Sequence, residues 1–148
     1  MGQNTPHLLV DDGLELLNEE QCLALLETGQ VGRVGVSVGA LPAIFTVNFA
    51  LNDRDIVFKT AEGTKLAAAA SHAVVAFQCD RFDPEQRTGW SVLVVGRAIP
   101  VEDPDEIAQL DGLGLDPLAA GERRHYVRVS SEFVSGRRIV QPSPPKLS

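Results

Sequence analysis

Three β-like runs follow one another in the first half of this chain, and the connections between them are too short for anything but hairpins. Val31 to Val38 alternates valine with Gly, Arg and Ser, and Ala43 to Leu51 reads as its return strand after a connection at Gly39 to Pro42. Asn52-Asp53-Arg54-Asp55 reads as a second turn before a strand that ends near Lys59 and Thr60. Tight hairpins favour a barrel over a parallel α/β sheet.

The rest of the chain extends this pattern. Asn18 with Gln21 spells a capping box before Leu23, Leu25 and Leu26, and Gly29 closes that helix. An alanine-rich helix passes through Leu66 and Ala70, and Ala73 to Cys79 follows as a compact strand. Arg81 to Gly89 reads as a polar loop, and Trp90 to Ile99 as a long valine-rich strand. Helices are expected at Pro104 to Leu110 and near Pro117 to Gly121. His125 to Ser130 and Phe133 to Val140 finish as strands. The expectation is one mainly β domain over 14–140, with six or seven antiparallel strands. It is flanked by a flexible arm at 1–13 and a Pro-rich tail at 141–148.

Charge and composition narrow the function classes. The chain has 148 residues and a formal charge of −7, which argues against a broad nucleic-acid surface. It lacks an apolar run near the roughly 20 residues needed to cross a bilayer, and its first ten residues do not resemble a signal peptide. A cytoplasmic protein without membrane or nucleic-acid partners is expected. Cys22 and Cys79 match no metal or redox spacing, so both read as reduced, half-buried core residues.

Against the acidic background, Lys59, Thr60, Gly63, Thr64 and Lys65 crowd the start of the alanine-rich helix. Helix starts expose unpaired N–H groups and suit phosphate. The competing reading is solvated lysines and capping threonines, and spacing alone leaves both open. On the preceding strand, Ile44, Thr46, Asn48 and Ala50 share one face, which offers a ring both apolar contact and hydrogen-bonding groups. A solvent-facing strand side is the alternative.

Other motifs are decoys. Gly35-Val36-Ser37-Val38-Gly39 matches the nucleophile-elbow pattern, but Ser37 lies inside an alternating strand with no helix to follow. His7, His72 and His125 share no ligand spacing, and no metal cluster is expected. Gly112-Leu113-Gly114 lacks the strand-turn-helix context of a dinucleotide loop.

The order Pro42…Thr46-Val47-Asn48, then Ile56-Val57-Phe58-Lys59-Thr60…Glu62-Gly63-Thr64-Lys65-Leu66, resembles the flavin-binding segment of the pyridoxamine 5′-phosphate oxidase-like proteins. Gly89-Trp90-Ser91-Val92-Leu93-Val94-Val95-Gly96-Arg97-Ala98 looks like a second hallmark. Phe133-Val134-Ser135-Gly136-Arg137-Arg138 is similar to the C-terminal strand of actinobacterial-type members. The resemblance implies a six-stranded antiparallel split β-barrel that dimerises and binds FMN in two interfacial clefts. It implies Thr46, Val47 and Asn48 along the ring, with Lys59, Thr60, Thr64 and Lys65 at the phosphate. Trp90 and Ser91 would reach the flavin from the partner subunit. Arg137 and Arg138 stay open between an anionic-substrate contact and a strand-edge charge pair.

The chain departs from true pyridoxamine-phosphate oxidases where Ile139 and Val140 follow Arg138 and the Arg-x-His pattern is missing. The expectation is therefore an FMN-dependent oxidoreductase acting by hydride transfer on a different small organic substrate. No side chain stands out as its acid or base. The alternatives are a deazaflavin-dependent reductase on the same fold, using Lys59, Lys65 and Arg54, and a non-catalytic module that binds flavin or haem.

Overall fold

The computed structural model describes residues 14–115 and 124–139. The elements in order are β1 (Leu14–Leu17), α1 (Glu19–Leu26), β2 (Val31–Val38), β3 (Leu41–Asn52), β4 (Asp55–Ala61), α2 (Lys65–Ala69), β5 (Val74–Asp83), β6 (Thr88–Pro100), α3 (Pro104–Asp111), β7 (Arg124–Val129) and β8 (Phe133–Ile139). The expected arm at 1–13, the tail at 141–148 and the helix near Pro117 lie outside the described residues.

Every strand pairing is antiparallel. The sheet runs β1-β8-β6-β5-β2-β3-β4-β7, and an additional β6–β7 pairing closes six of its eight strands into a ring. The ring is the split barrel expected from the sequence. β8 and β1 extend from β6 as a wing. β6 serves both because it is long: residues 89–95 pair with β8 and residues 98–100 with β7.

The hand-over falls at Gly96, where a Cβ would collide with the Ser130 carbonyl oxygen at the β7–β8 corner. Only glycine fits that approach. At the β2–β3 turn, Gly39 and Ala40 both have positive φ, at 54° and 69°, which matches the twist of a two-residue hairpin.

Local chemistry explains the other elements. Asn18 Oδ1 accepts from Gln21 N at 2.8 Å and Gln21 Oε1 accepts from Asn18 N at 2.9 Å, so the capping box is formed. Alternation on β2 turns Val34 and Val36 inward, where they join Val47, Phe49, Phe58, Phe77, Val92, Val94 and Val129 in the barrel core. Phe49 and Phe77 meet edge to face at 4.7 Å. A second, smaller core lies on the outside of β4 and β7, where α3 packs Leu110 against Val57, Val101 and Tyr126.

Three expectations change. β1 was not foreseen, because its four residues become a strand through pairing with β8. Arg81 to Asp83 and Thr88 to Gly89, read as loop, are strand that continues the β5–β6 ladder past the barrel rim. Cys22 and Cys79 are fully buried free thiols, and burial pushes both up from the ordinary thiol value.

Gly96→Ala is expected to destabilise the fold by roughly 1 to 3 kcal/mol or more, because its new methyl meets backbone and not a side chain that can rotate away. Chemical denaturation measures this, and a wild-type midpoint in the variant contradicts the strand hand-over.

Candidate functional site

The barrel is open on one side, and the opening is set by how β3 divides its pairing. From Leu41 to Asn48, β3 pairs with β2; from Phe49 to Asn52 it pairs with β4. The β3–β4 ladder therefore stops at Phe49 opposite Phe58. Beyond that rung, Thr46 to Asn48 are laddered to β2 and Lys59 to Ala61 to β7. The two segments diverge into a fork whose facing backbone edges have no ladder with each other. Backbone N–H and C=O groups on such edges demand partners, which is what a hydrogen-bonding ligand supplies.

The fork brings together most of the residues expected at the site. On β3, Thr46 is exposed, Val47 points into the core, and Asn48 is half-buried. Asn48 also lines a cavity of about 310 Å³ with Gln30, Phe49, Ala50, Leu113, Gly114 and Leu115, beside the C-terminal end of α3. That volume is at the lower end of the range for small-molecule sites.

On β4, alternation puts Lys59 and Thr60 on opposite faces. Lys59 lies opposite Tyr126 across the β4–β7 ladder, with its Nζ 5.0 Å from the ring centroid. Thr60 lies opposite His125 and is buried, one of the few polar side chains in the interior of the described residues. His125 sits at the surface, with Nε2 3.5 Å from Glu62.

α2 is shorter than the helix expected from the sequence. It has five residues, too few for a substantial dipole, and one of its first-turn N–H groups, Ala67 N, is already capped by Thr64. The Thr64 hydroxyl accepts from Ala67 N at 3.0 Å and donates to Ala61 O at 2.8 Å, while Ala68 N donates to Thr64 O. Thr64 thus fixes where the helix begins. Lys65, exposed in the first turn, is the group there with free donors.

Trp90 and Ser91 do not join the fork within one chain. They lie on β6, and β5 and β2 separate that strand from β3, about 14 Å at ~4.8 Å per strand. Trp90 packs against the core and lines a cavity of about 440 Å³ with Arg81, Asp83, Thr88, Gly89, Arg138 and Ile139. Arg138 is paired with Glu15 at 3.2 Å, the strand-edge alternative of the two readings.

Ser91 belongs to a network that sequence reasoning missed. Arg33 Nη1 donates to Gln78 Oε1 and Asp80 Oδ1, both at 3.2 Å, and Gln78 Nε2 donates to Asp80 Oδ2 at 3.0 Å and Ser91 Oγ at 3.1 Å. It depends on the β2–β5–β6 register, which no local motif reveals. Ser37 is an exposed residue within β2, so the elbow motif is coincidental. Among the described residues no group of three or more His, Cys, Asp or Glu is placed to hold a metal. No helix among them is long and apolar enough to cross a membrane.

Behind Lys59, the Tyr126 hydroxyl donates to Asp111 Oδ1 at 2.7 Å. Burial, with the Asp111 hydrogen bond and charge, pushes the phenol from 10.0 up to about 12. A raised value means the folded state favours the neutral phenol. Its contribution to stability is full below pH 10.0 and is lost as pH rises towards about 12. Tyr126 is the single tyrosine, so tyrosinate absorbance reports it alone. The folded protein is expected to titrate well above the denatured chain, and coincident curves contradict the buried Tyr126–Asp111 bond.

Comparison with known proteins places this architecture. The sequence profile described as Pyridoxamine 5'-phosphate oxidase matches residues 18–138. An uncharacterised protein of Mycobacterium tuberculosis is 36% identical over 132 residues, 86% of each chain. The structure of the FAD binding protein from Mycobacterium smegmatis superposes with a TM-score of 0.74 at 37% identity, covering 83% of this chain and 98% of that one. A Corynebacterium diphtheriae protein of unknown function gives a TM-score of 0.74 at 33% identity, covering 87% of this chain and all (100%) of the other. With its ring of six strands and a family match across nearly the whole described barrel, the chain belongs to the pyridoxamine 5′-phosphate oxidase family.

Proposed function

We propose that the chain is an FMN-dependent oxidoreductase, working in the cytoplasm as a homodimer on a small organic substrate by hydride transfer. The observation that carries this reading is the fork between Thr46–Asn48 and Lys59–Ala61, with Lys59 and Lys65 on its β4 and α2 side. FMN has two ends of different chemistry, and the fork offers something to each. The open backbone edge at Thr46 and Val47, with Asn48 next to it, suits the ring's donors and acceptors. The ammonium groups of Lys59 and Lys65 suit a phosphate.

When bound, the flavin supplies hydride acceptance and donation at its N5 position. This chain's residues supply position and environment. The β3 edge orients the ring, Val47 ties that edge to the core, and Thr64 fixes the start of α2 so that Lys65 faces the anion. The Ser91 oxygen accepts from Gln78, which leaves the hydroxyl proton to donate to a ligand.

The dimer rests on an outward apolar row. Ile44, Gly35, Ala76, Val95 and Phe133 are successive directly paired residues across β3, β2, β5, β6 and β8, so they share one face. Ile44 is 75% exposed and Phe133 57%. An apolar row of this length calls for a partner, and a second copy is the economical one. Thr46 and Ser91 lie on that same face two and four residues along their strands. Pairing two such faces joins the fork of one copy to β6 of the other.

FAD in the same cleft is the second reading, favoured by the FAD binding protein from Mycobacterium smegmatis at 37% identity. The deazaflavin alternative wants further cations, and Arg54 is engaged by Glu19 and Glu20.

Titration with FMN and with FAD tests the proposal. Trp90 is the single tryptophan, and its quenching should saturate near one FMN per subunit. Lys65→Ala should weaken FMN by on the order of 1 to 3 kcal/mol. Absence of any flavin binding refutes the proposal, tighter FAD transfers it to the second reading, and a flavin-loaded monomer contradicts the shared cleft.

A further inference from the structure

We propose that Tyr126, anchored by Asp111, is a positioning residue for Lys59 and thereby sets how strongly the cleft prefers a phosphorylated ring ligand to its unphosphorylated counterpart. The inference rests on the phosphate reading of Lys59 given above.

Lysine is a poor anion clamp when free, because its long side chain has many rotamers to lose on binding. Lys59 is not free. Its Nζ lies 5.0 Å from the Tyr126 centroid, within the range where an aromatic face attracts a cation. Tyr126 in turn is fixed through both its backbone and its ring. The β4–β7 ladder sets Tyr126 opposite Lys59, and the Tyr126 carbonyl accepts from Val101 N at 2.9 Å. The hydroxyl donates to Asp111 Oδ1 at 2.7 Å, and the ring, only 5% exposed, packs with Val57, Val101 and Leu110.

The kind of partner also matters. Among the described residues Arg33, Arg54, Arg128 and Arg138 are each ion-paired with carboxylates, whereas no such pair involves Lys59. A carboxylate would hold Lys59 in place but neutralise it. An aromatic face orients the ammonium and leaves its charge and donors for an anion. The platform depends on α3, because Asp111 is the last residue of that helix, and Arg128 clasps the same helix through Glu106 at 3.0 Å.

The experiment is a double-mutant cycle on the homodimer, read as the ratio of FMN to riboflavin affinity. Riboflavin carries the same ring without the phosphate, so the ratio isolates the anion contact. Tyr126→Leu should lower FMN affinity about two- to fivefold with riboflavin unchanged. Tyr126→Phe, which keeps the ring, should lower it less. In a Lys59→Ala background, Tyr126→Leu should have no further effect on the ratio.

An equal loss for both ligands, an unchanged ratio, or an effect that persists without Lys59 overturns the proposal. Should Tyr126→Leu not fold, Asp111→Ala releases the hydroxyl and must lower the ratio, and an unchanged ratio overturns the proposal equally. If the wild type binds FMN and riboflavin alike, the phosphate reading itself has failed, which is visible before any Tyr126 variant is made.

Discussion

A strand has two edges, and the fork that forms the candidate site arises because β3 cannot give either edge to one neighbour along its whole length. Its first part pairs with β2 and its last four residues with β4. Phe49 and Phe58, opposite each other at the last shared rung, are both buried in the barrel core and pin the point of divergence. Everything proposed for function follows from that fork. It leaves the β3 edge at Thr46 and Val47 with no ladder to β4 and presents Lys59 beside it. A fully zipped barrel has no such edge.

The structure distributes its charges in a way that fits this arrangement. On an acidic chain, several arginines are matched to carboxylates that fix elements: Arg128 joins β7 to Asp55 and Glu106, and Arg138 joins β8 to Glu15. These exposed and half-exposed pairs contribute little each to stability, and their effect is largely on register and docking. Lys59, oriented by Tyr126, and Lys65, on the first turn of α2, stand apart from those pairs. Both lie on the β4 and α2 side of the fork, and no ion pair among the described residues uses them.

Much of the fold was legible because hairpin strands carry their own signals. The valine alternation of β2 and the Asn18 capping box act over a few residues and formed as read, while the hairpin connection expected over Gly39 to Pro42 is shorter, a turn at Gly39-Ala40 with Leu41 and Pro42 already in β3. The misses have a common physical cause. Leu14–Leu17 becomes a strand only because β8 supplies its partner, and Arg81 to Asp83 extend because Thr88 to Trp90 lie opposite. The candidate site was legible where it rests on contiguous residues, Thr46-Val47-Asn48 and Lys59-Thr60. The Arg33–Gln78–Asp80–Ser91 network and the Tyr126–Asp111 support were not, since register and the docking of α3 bring them together. The phosphate argument from helix polarity gave way to one from side chains, because α2 is a single short turn and a half.

A ligand that edge-pairs with the fork shields its backbone amides, and amide exchange reads that edge directly. Hydrogen–deuterium exchange, resolved by peptide with and without saturating FMN, should slow at 46–48 and 59–65. The distant hairpin turn at 39–40 should be unchanged. Protection confined to other parts of the barrel, with the fork exchanging as in the free protein, would contradict the account.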